Sequence, residues 1–151
     1  SKIDLNTCLN GALEKLDLLI QANQCDVTLN LEDNVSILAN AYQLENVFCN
    51  LIENSIKYSE NTPIIEITTK QINKDVEINI RDHGIGMTND QIEKAFDHFY
   101  RAQKGNIHNT KGFGLGLSFV KYMIQKMNST IRIESQINKG TTVIIKFQLC
   151  P

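Results

Sequence analysis

No apolar run in this sequence approaches the length of a membrane span, and no signal peptide opens it, so no membrane contact is expected from these residues. Neither sign of charge dominates. Fifteen basic residues stand against seventeen acidic ones, a formal net charge of -2, which predicts no general affinity for nucleic acid and confines any phosphate binding to a local site. Cys8, Cys25, Cys49 and Cys150 are scattered and form no CxxC pair. That spacing predicts reduced thiols in a cytosolic domain, not a metal site or a disulfide framework. Internal repeats, low-complexity stretches and linkers are also missing. The 151 residues, 42% hydrophobic and 21% charged, are therefore expected to fold as one globular domain spanning 1–151. The start at Ser1, without a methionine, suggests a fragment of a longer protein.

The periodicities predict an α+β domain. A first helix is expected with Asn6 as its cap and Leu9, Leu13, Leu16 and Ile20 as its apolar stripe. Val27, Leu29 and Leu31 alternate as in a half-buried strand, and Val35 to Leu38 suggests another. A second helix is expected over roughly Gln43 to Tyr58. Ile65, Ile67 and Thr69 lead a strand that turns at "NKD" into Val76, Ile78 and Ile80, a period-two hairpin. Thr88 and Gln91 have the spacing of a capping box opening a short helix. From His98 to Gly112 the chain is polar and aperiodic, and loops of that length are usually functional or mobile. A last helix begins near Leu115, with Val120, Met123, Ile124 and Met127 on one face. "TIRIES" and "TTVIIKFQL", joined through "NKG", close the chain as a second hairpin. The expected architecture is a two-layer sandwich, a mixed sheet with helices on one face.

Two common nucleotide motifs are missing. A P-loop needs a Gly-Lys dipeptide, which does not occur, and a dinucleotide fingerprint needs a third glycine where Asn89 stands. Three glycine-bearing segments remain. In "DHGIGM" a carboxylate, Asp82, precedes Gly84 and Gly86; the glycines permit close backbone approach to a ligand, and the carboxylate can accept from an amino group. Taken alone, a plain strand-to-helix turn is the favoured reading. "KGFGLGLS" places Gly112, Gly114 and Gly116 before a helix, where exposed N–H groups and the helix dipole attract anions; a flexible hinge is the competing reading. Gly140 in "NKGTT" is expected to be only a turn.

The helix "NVFCNLIENSIKYS" adds Asn46, Asn50 and Asn54 at four-residue steps, although asparagine is a poor helix former. Such a step advances only about 40° around an α-helix, so Asn50 and Asn54 share a face, with Lys57 and Tyr58 one turn further. An amide oxygen is a hard ligand suited to magnesium, and Lys57 could offset phosphate charge. A merely solvated helix face is the plain alternative.

Taken in order, the asparagine helix, Asp-x-Gly-x-Gly, "FDHFYR" and Gly-x-Gly-Leu-Gly-Leu resemble the ATP-binding catalytic domain of bacterial sensor histidine kinases, the GHKL or Bergerat fold. The resemblance runs over essentially the whole chain. It implies that Asn54 holds Mg2+, that Asn50 is the polar residue one turn before it, and that Lys57 and Arg101 reach phosphates. Tyr58 would lie near the nucleotide, and Asp82 would accept from the adenine amino group while Gly84 and Gly86 wrap the base. Phe96 and Phe99 would pack the base of a lid running from Arg101 to Gly112. Gly112, Gly114 and Gly116, with Leu115 and Leu117, would meet the ATP phosphates. Phe113 departs mildly from the pattern. The implied partners are a phosphoacceptor histidine on a dimerising helical hairpin of the parent kinase, and a response regulator. The implied setting is a cytoplasmic domain whose parent can be anchored in the bacterial inner membrane. His83, His98 and His108 lack the context of a phosphoacceptor.

Gyrase, mismatch-repair and chaperone ATPases of this fold place a glutamate where Asn50 stands, as general base for water. An amide cannot take a proton, which favours phosphoryl transfer over hydrolysis. An anti-sigma-factor-type serine kinase and a non-catalytic nucleotide-binding module are the remaining alternatives.

Overall fold

The computed structural model describes residues 1–103 and 115–151, without the side chains of 98–103 and 115. Strand β1 (Lys2–Asp4) leads directly into helix α1 (Leu5–Lys15). Asp4, not Asn6, caps that helix: its carboxylate accepts from the Thr7 N–H at 2.9 Å and from the Thr7 hydroxyl at 2.8 Å. Asn6 is drawn away because its amide donates to the Glu32 carbonyl at 2.9 Å. At Leu16 the backbone leaves the helical region (φ -97, ψ 8), so the expected single helix is split, and helix α2 (Asp17–Ala22) follows. Leu9 and Leu16 are buried, whereas Leu13 and Ile20 only flank the core.

Strand β2 (Asp26–Asn30) is an edge strand, which leaves Leu29 40% exposed. Strand β3 (Ser36–Leu38) forms where expected but pairs antiparallel with β1, as a small separate ribbon. Asn40 caps helix α3 (Ala41–Lys57), accepting from the Gln43 N–H at 3.0 Å, so the helix starts two residues before Gln43. Leu44, Val47, Phe48, Leu51, Ile52 and Ile56 of α3 are buried in the core, where the helix packs against α1, α5 and the sheet. Each such side chain contributes about 1.5–3 kcal/mol, which makes this helix the spine of the core.

Strands β4 (Ile64–Ile72) and β5 (Asp75–Asp82) form the first hairpin, its turn aided by Asn73 at φ 57. Helix α4 (Asn89–Gln103) opens with the expected capping box, the Gln91 and Thr88 side chains bonding each other's backbone N–H at 2.9 and 3.2 Å. Helix α5 (Leu115–Lys126) buries Leu117, Val120, Met123 and Ile124. Strands β6 (Thr130–Gln136) and β7 (Gly140–Gln148) form the last hairpin.

The main sheet has the order β2-β4-β5-β7-β6, with β2 parallel to β4 and every other pair antiparallel. Ile65 and Ile67, Val76, Ile78 and Ile80, and Val143, Ile145 and Phe147 point to the helical layer. On the other face Glu66, Arg81, Thr142 and Glu134 fall in one cross-strand row. This is the expected two-layer α+β sandwich. Among the described residues no helix is long and apolar enough to cross a membrane.

Candidate functional site

A pocket with an empty volume of about 470 Å3, counted to its open mouth, lies between α3, the end of β5, the first turns of α5 and the last hairpin. Its walls include Asn54, Ser55, Tyr58, Asp82, Leu117 and Thr141. The apolar stripe of α3 fixes the helix against the sheet, and the adjoining turn of that helix brings Asn54 and Ser55 to the pocket.

Asp82 ends β5 at the pocket wall. Its Oδ1 accepts from the Gly84 N–H at 2.9 Å and from the Thr141 N–H at 3.1 Å, and its carboxyl is also hydrogen-bonded to the Ser55 side chain. Burial still pushes its pKa above the ordinary carboxylate value, because desolvation outweighs these donors. A desolvated acceptor of this kind suits a ligand N–H. On the neighbouring surface, His83 meets Glu66 Oε1 at 2.7 Å, and this hydrogen bond lowers the Glu66 pKa.

Two glycines join the segment after Asp82 to the last hairpin. Gly86 has φ +74, and a Cβ there would lie 1.9 Å from the Gln136 carbonyl oxygen. Gly140 has φ +88, and its Cβ would lie 2.1 Å from the Asp82 carbonyl oxygen. Gly140 is therefore more than the plain turn residue expected from the sequence; it lets the hairpin turn close onto Asp82. The Asn138 N–H donates to Ile85 O at 2.7 Å across the same seam, and the Ile85 N–H donates to Tyr58 O at 3.1 Å. Gly84 is buried against the Tyr58 carbonyl as well.

Asn50 and Asn54 both face the start of α5. A Cβ on Gly116 would stand 3.2 Å from Asn54 Nδ2 and 3.5 Å from Asn50 Oδ1. The start of α5, the positive end of a helix dipole, is thus set beside two amides. Asn50 Nδ2 donates to the Asn46 carbonyl at 2.8 Å, so Asn46 contributes its backbone, not its side chain. Lys57 is exposed in the last turn of α3, and Tyr58 lines the pocket with its phenol pKa raised by burial. Phe96 is half-buried against the core, with Lys121 Nζ 4.9 Å from its ring centre.

The structure thus brings together Asn50, Asn54, Tyr58, Asp82, Gly84, Gly86, Gly116 and Leu117. Gly112 and Gly114, His108 and most of the expected lid lie outside the described residues, as do the side chains of His98, Phe99, Arg101 and Leu115. Ser55, Ser135 and Thr141 were not anticipated. Ser55 is adjacent to Asn54 but off the asparagine strip, and Thr141 reaches Asp82 from 59 residues away, so no local pattern marks either. All four cysteines are free, and burial raises the Cys8 thiol to about 12. Among the described residues no group of three or more His, Cys, Asp or Glu could hold a metal ion. A cation here would have to rest on few protein oxygens.

Residues 39–151 match the family model described as histidine kinase-, DNA gyrase B-, and HSP90-like ATPase. The chain is 38% identical over 151 residues to the sensor protein RprX of Bacteroides fragilis, covering 98% of this chain and 29% of that one. It is 36% identical to the signal transduction histidine-protein kinase ArlS of Staphylococcus aureus, covering 96% of this chain and 32% of the relative. The chain therefore spans about a third of the length of these curated relatives. Among solved structures, the nucleotide-free catalytic domain of histidine kinase ThkA superposes with a TM-score of 0.84 at 22% identity, covering 100% of this chain and 98% of that one. ThkA in complex with the response regulator protein TrrA superposes at 0.81 and 18% identity, covering 100% of this chain and 42% of that one. At these identities the structural likeness speaks for the fold.

Proposed function

Because this chain belongs to the histidine kinase-, DNA gyrase B-, and HSP90-like ATPase family, whose membership implies ATP binding, we propose that it is the catalytic domain of a two-component sensor kinase. In this reading it binds Mg-ATP and donates the γ-phosphoryl to a histidine on a separate dimerising hairpin of the parent protein. Residues 1–151 act as one domain of that parent, and the phosphoryl group passes on to a response regulator. The names of RprX and ArlS, and the ThkA complex with TrrA, support these assignments.

The observation that carries the reading is a single pocket bounded by a desolvated carboxylate, Asp82, and by the Asn54 amide beside the start of α5. Asp82 accepts an N–H of the adenine amino group, while Gly84 and Gly86 let the segment after it pack on the Tyr58 and Gln136 carbonyls beside the base. Tyr58 and Leu117 supply apolar walls. The phosphates extend toward the N-terminus of α5, where backbone N–H groups and the dipole favour anions. Lys57, Arg101 and the glycines at 112, 114 and 116, with Leu115 and Leu117, complete the phosphate end. The residues fit a magnesium ion, which takes few protein ligands and keeps phosphate oxygens and waters; Asn54 would hold it, and it would neutralise charge on the phosphates. The protein's contribution is positioning and electrostatics.

Asn50 argues against hydrolysis as the main outcome. Its Nδ2 is committed to the Asn46 carbonyl, and an amide cannot serve as a general base for water. Glu53 is the nearest carboxylate in sequence, but it is exposed, about 100° round the helix from Asn54.

The test supplies a matching histidine hairpin and labelled ATP. Acid-labile, base-stable phosphate on the hairpin is expected, and Asn54→Ala should abolish it without lowering the melting temperature. Magnesium-dependent ATP binding without transfer would instead favour a non-catalytic nucleotide-binding module.

A further inference from the structure

Ser135 lies on β6, outside the pocket wall, yet its hydroxyl reaches two of the segments that build the pocket, the turn after Asp82 and the start of β7. It accepts from the Met87 N–H at 2.8 Å, donates to the Gly140 carbonyl at 2.9 Å and lies 2.8 Å from Thr141 Oγ1. A serine hydroxyl has one proton and two lone pairs. The Met87 N–H can only donate and the Gly140 carbonyl can only accept, so the serine proton goes to Gly140. The third contact is then a hydrogen bond only if Thr141 donates to Ser135. The proton positions follow from the partners, and all three sites on the serine oxygen are used.

This assignment has a chemical consequence in the pocket. Thr141 lines it, and the Thr141 N–H already donates to Asp82 Oδ1. With its hydroxyl proton committed to Ser135, Thr141 Oγ1 retains only lone pairs for any further partner. Asp82 and Thr141 therefore present one wall of acceptors. An exocyclic amino group, with two N–H donors, complements that wall; a carbonyl oxygen in the same place would face lone pairs and lose hydrogen bonds.

We propose that Ser135 is a positioning residue for base selection: by holding the Thr141 hydroxyl proton it makes the pocket an acceptor site that selects 6-aminopurine over 6-oxopurine nucleoside triphosphates. The inference rests on the nucleotide-binding reading above and adds a residue that touches no ligand itself.

The test compares ATP with ITP, whose base carries an oxo group in place of the amino group at C6 and, with it, a proton on N1. Both are titrated calorimetrically with magnesium into the domain, for the unaltered protein, Ser135→Ala, Ser135→Thr and Thr141→Val. Ser135→Ala frees the Thr141 proton to donate to a 6-oxo group, so the ATP-to-ITP affinity ratio is expected to fall roughly 3- to 10-fold, one neutral hydrogen bond's worth. Ser135→Thr, which keeps the hydroxyl on a strand that tolerates β-branching, should restore most of the ratio. In the Thr141→Val background, Ser135→Ala should change the ratio no further, because the proton it controls is gone. A purely structural Ser135 would weaken both nucleotides in step and leave the ratio constant, and that result overturns the proposal. Should Ser135→Ala fail to fold, a Thr141→Val protein with undiminished preference for ATP overturns it equally. If the unaltered domain binds neither nucleotide, the nucleotide-binding reading falls first and takes this inference with it.

Discussion

Replacing Asp82 by asparagine should move ligand affinity and stability in opposite directions. The shape is kept, and the amide oxygen can still accept from the Gly84 and Thr141 N–H groups that hold Oδ1 in the native protein. The other carboxylate oxygen becomes an NH2, a donor facing a ligand donor. A hydrogen bond to a charged acceptor contributes about 1.5–3 kcal/mol, so ATP affinity should fall roughly 10- to 100-fold. The free protein should respond the other way at neutral pH. Burial raises the Asp82 pKa above its unfolded value of 3.8, so in the window between the unfolded and folded values the native state binds more protons than the unfolded one. Native stability therefore falls as pH rises through that window, and ionised Asp82 destabilises the free domain above it. Asparagine removes this penalty. Thermal melts of both proteins without nucleotide should show the variant more stable at pH 7, with the gap closing as pH falls through the raised Asp82 pKa. A variant that binds ATP as tightly as the native chain, or whose stability difference is flat with pH, would refute the reasoning.

The glycines give two further expectations. Gly116→Ala should leave the melting temperature unchanged or raise it, since alanine favours the helix by up to about 1 kcal/mol. Its Cβ would press on Asn54 Nδ2 at 3.2 Å, and magnesium-dependent ATP affinity should drop about tenfold in calorimetry, one amide contact's worth. Gly140→Ala combines a φ of +88 with a Cβ 2.1 Å from the Asp82 carbonyl. The left-handed conformation alone costs about 1–2 kcal/mol, so its urea midpoint should fall, and nucleotide binding should fall with it because Asp82 is displaced.

The helices and strands were legible wherever one local signal dominated. The α3 stripe, the hairpin of β4 and β5, and the capping box at Thr88 and Gln91 each express a single periodicity or side-chain geometry, and all appear in the structure. The misplacements occurred where two neighbours compete for one role. Asp4 took the cap expected of Asn6 because Asn6 found a partner 26 residues away in Glu32. β3 was recognisable as a strand, but a three-residue segment carries no information about which partner it pairs with, and it joined β1 instead of the main sheet. In the site, Asn54 and Asp82 stood out because motif and chemistry coincide there. Ser55, Ser135 and Thr141 are ordinary residues in sequence. Their roles exist only once α3, β6 and β7 converge on Asp82, and a one-dimensional pattern holds no trace of that convergence.

The seam in which Gly86 and Gly140 meet also sets an order of events. Asp82 acquires its Thr141 donor, and the loop after it acquires its Ser135 and Asn138 partners, only when the last hairpin docks. A chain still emerging from the ribosome holds the asparagine helix and the carboxylate long before it holds the hairpin, so the pocket proposed for the base is not yet built. Nucleotide can stabilise only the completed domain. In effect the last hairpin is a checkpoint: ATP cannot rescue a chain in which that hairpin has not docked, and occupancy of the pocket would report that β6 and β7 have folded onto the segment after Asp82.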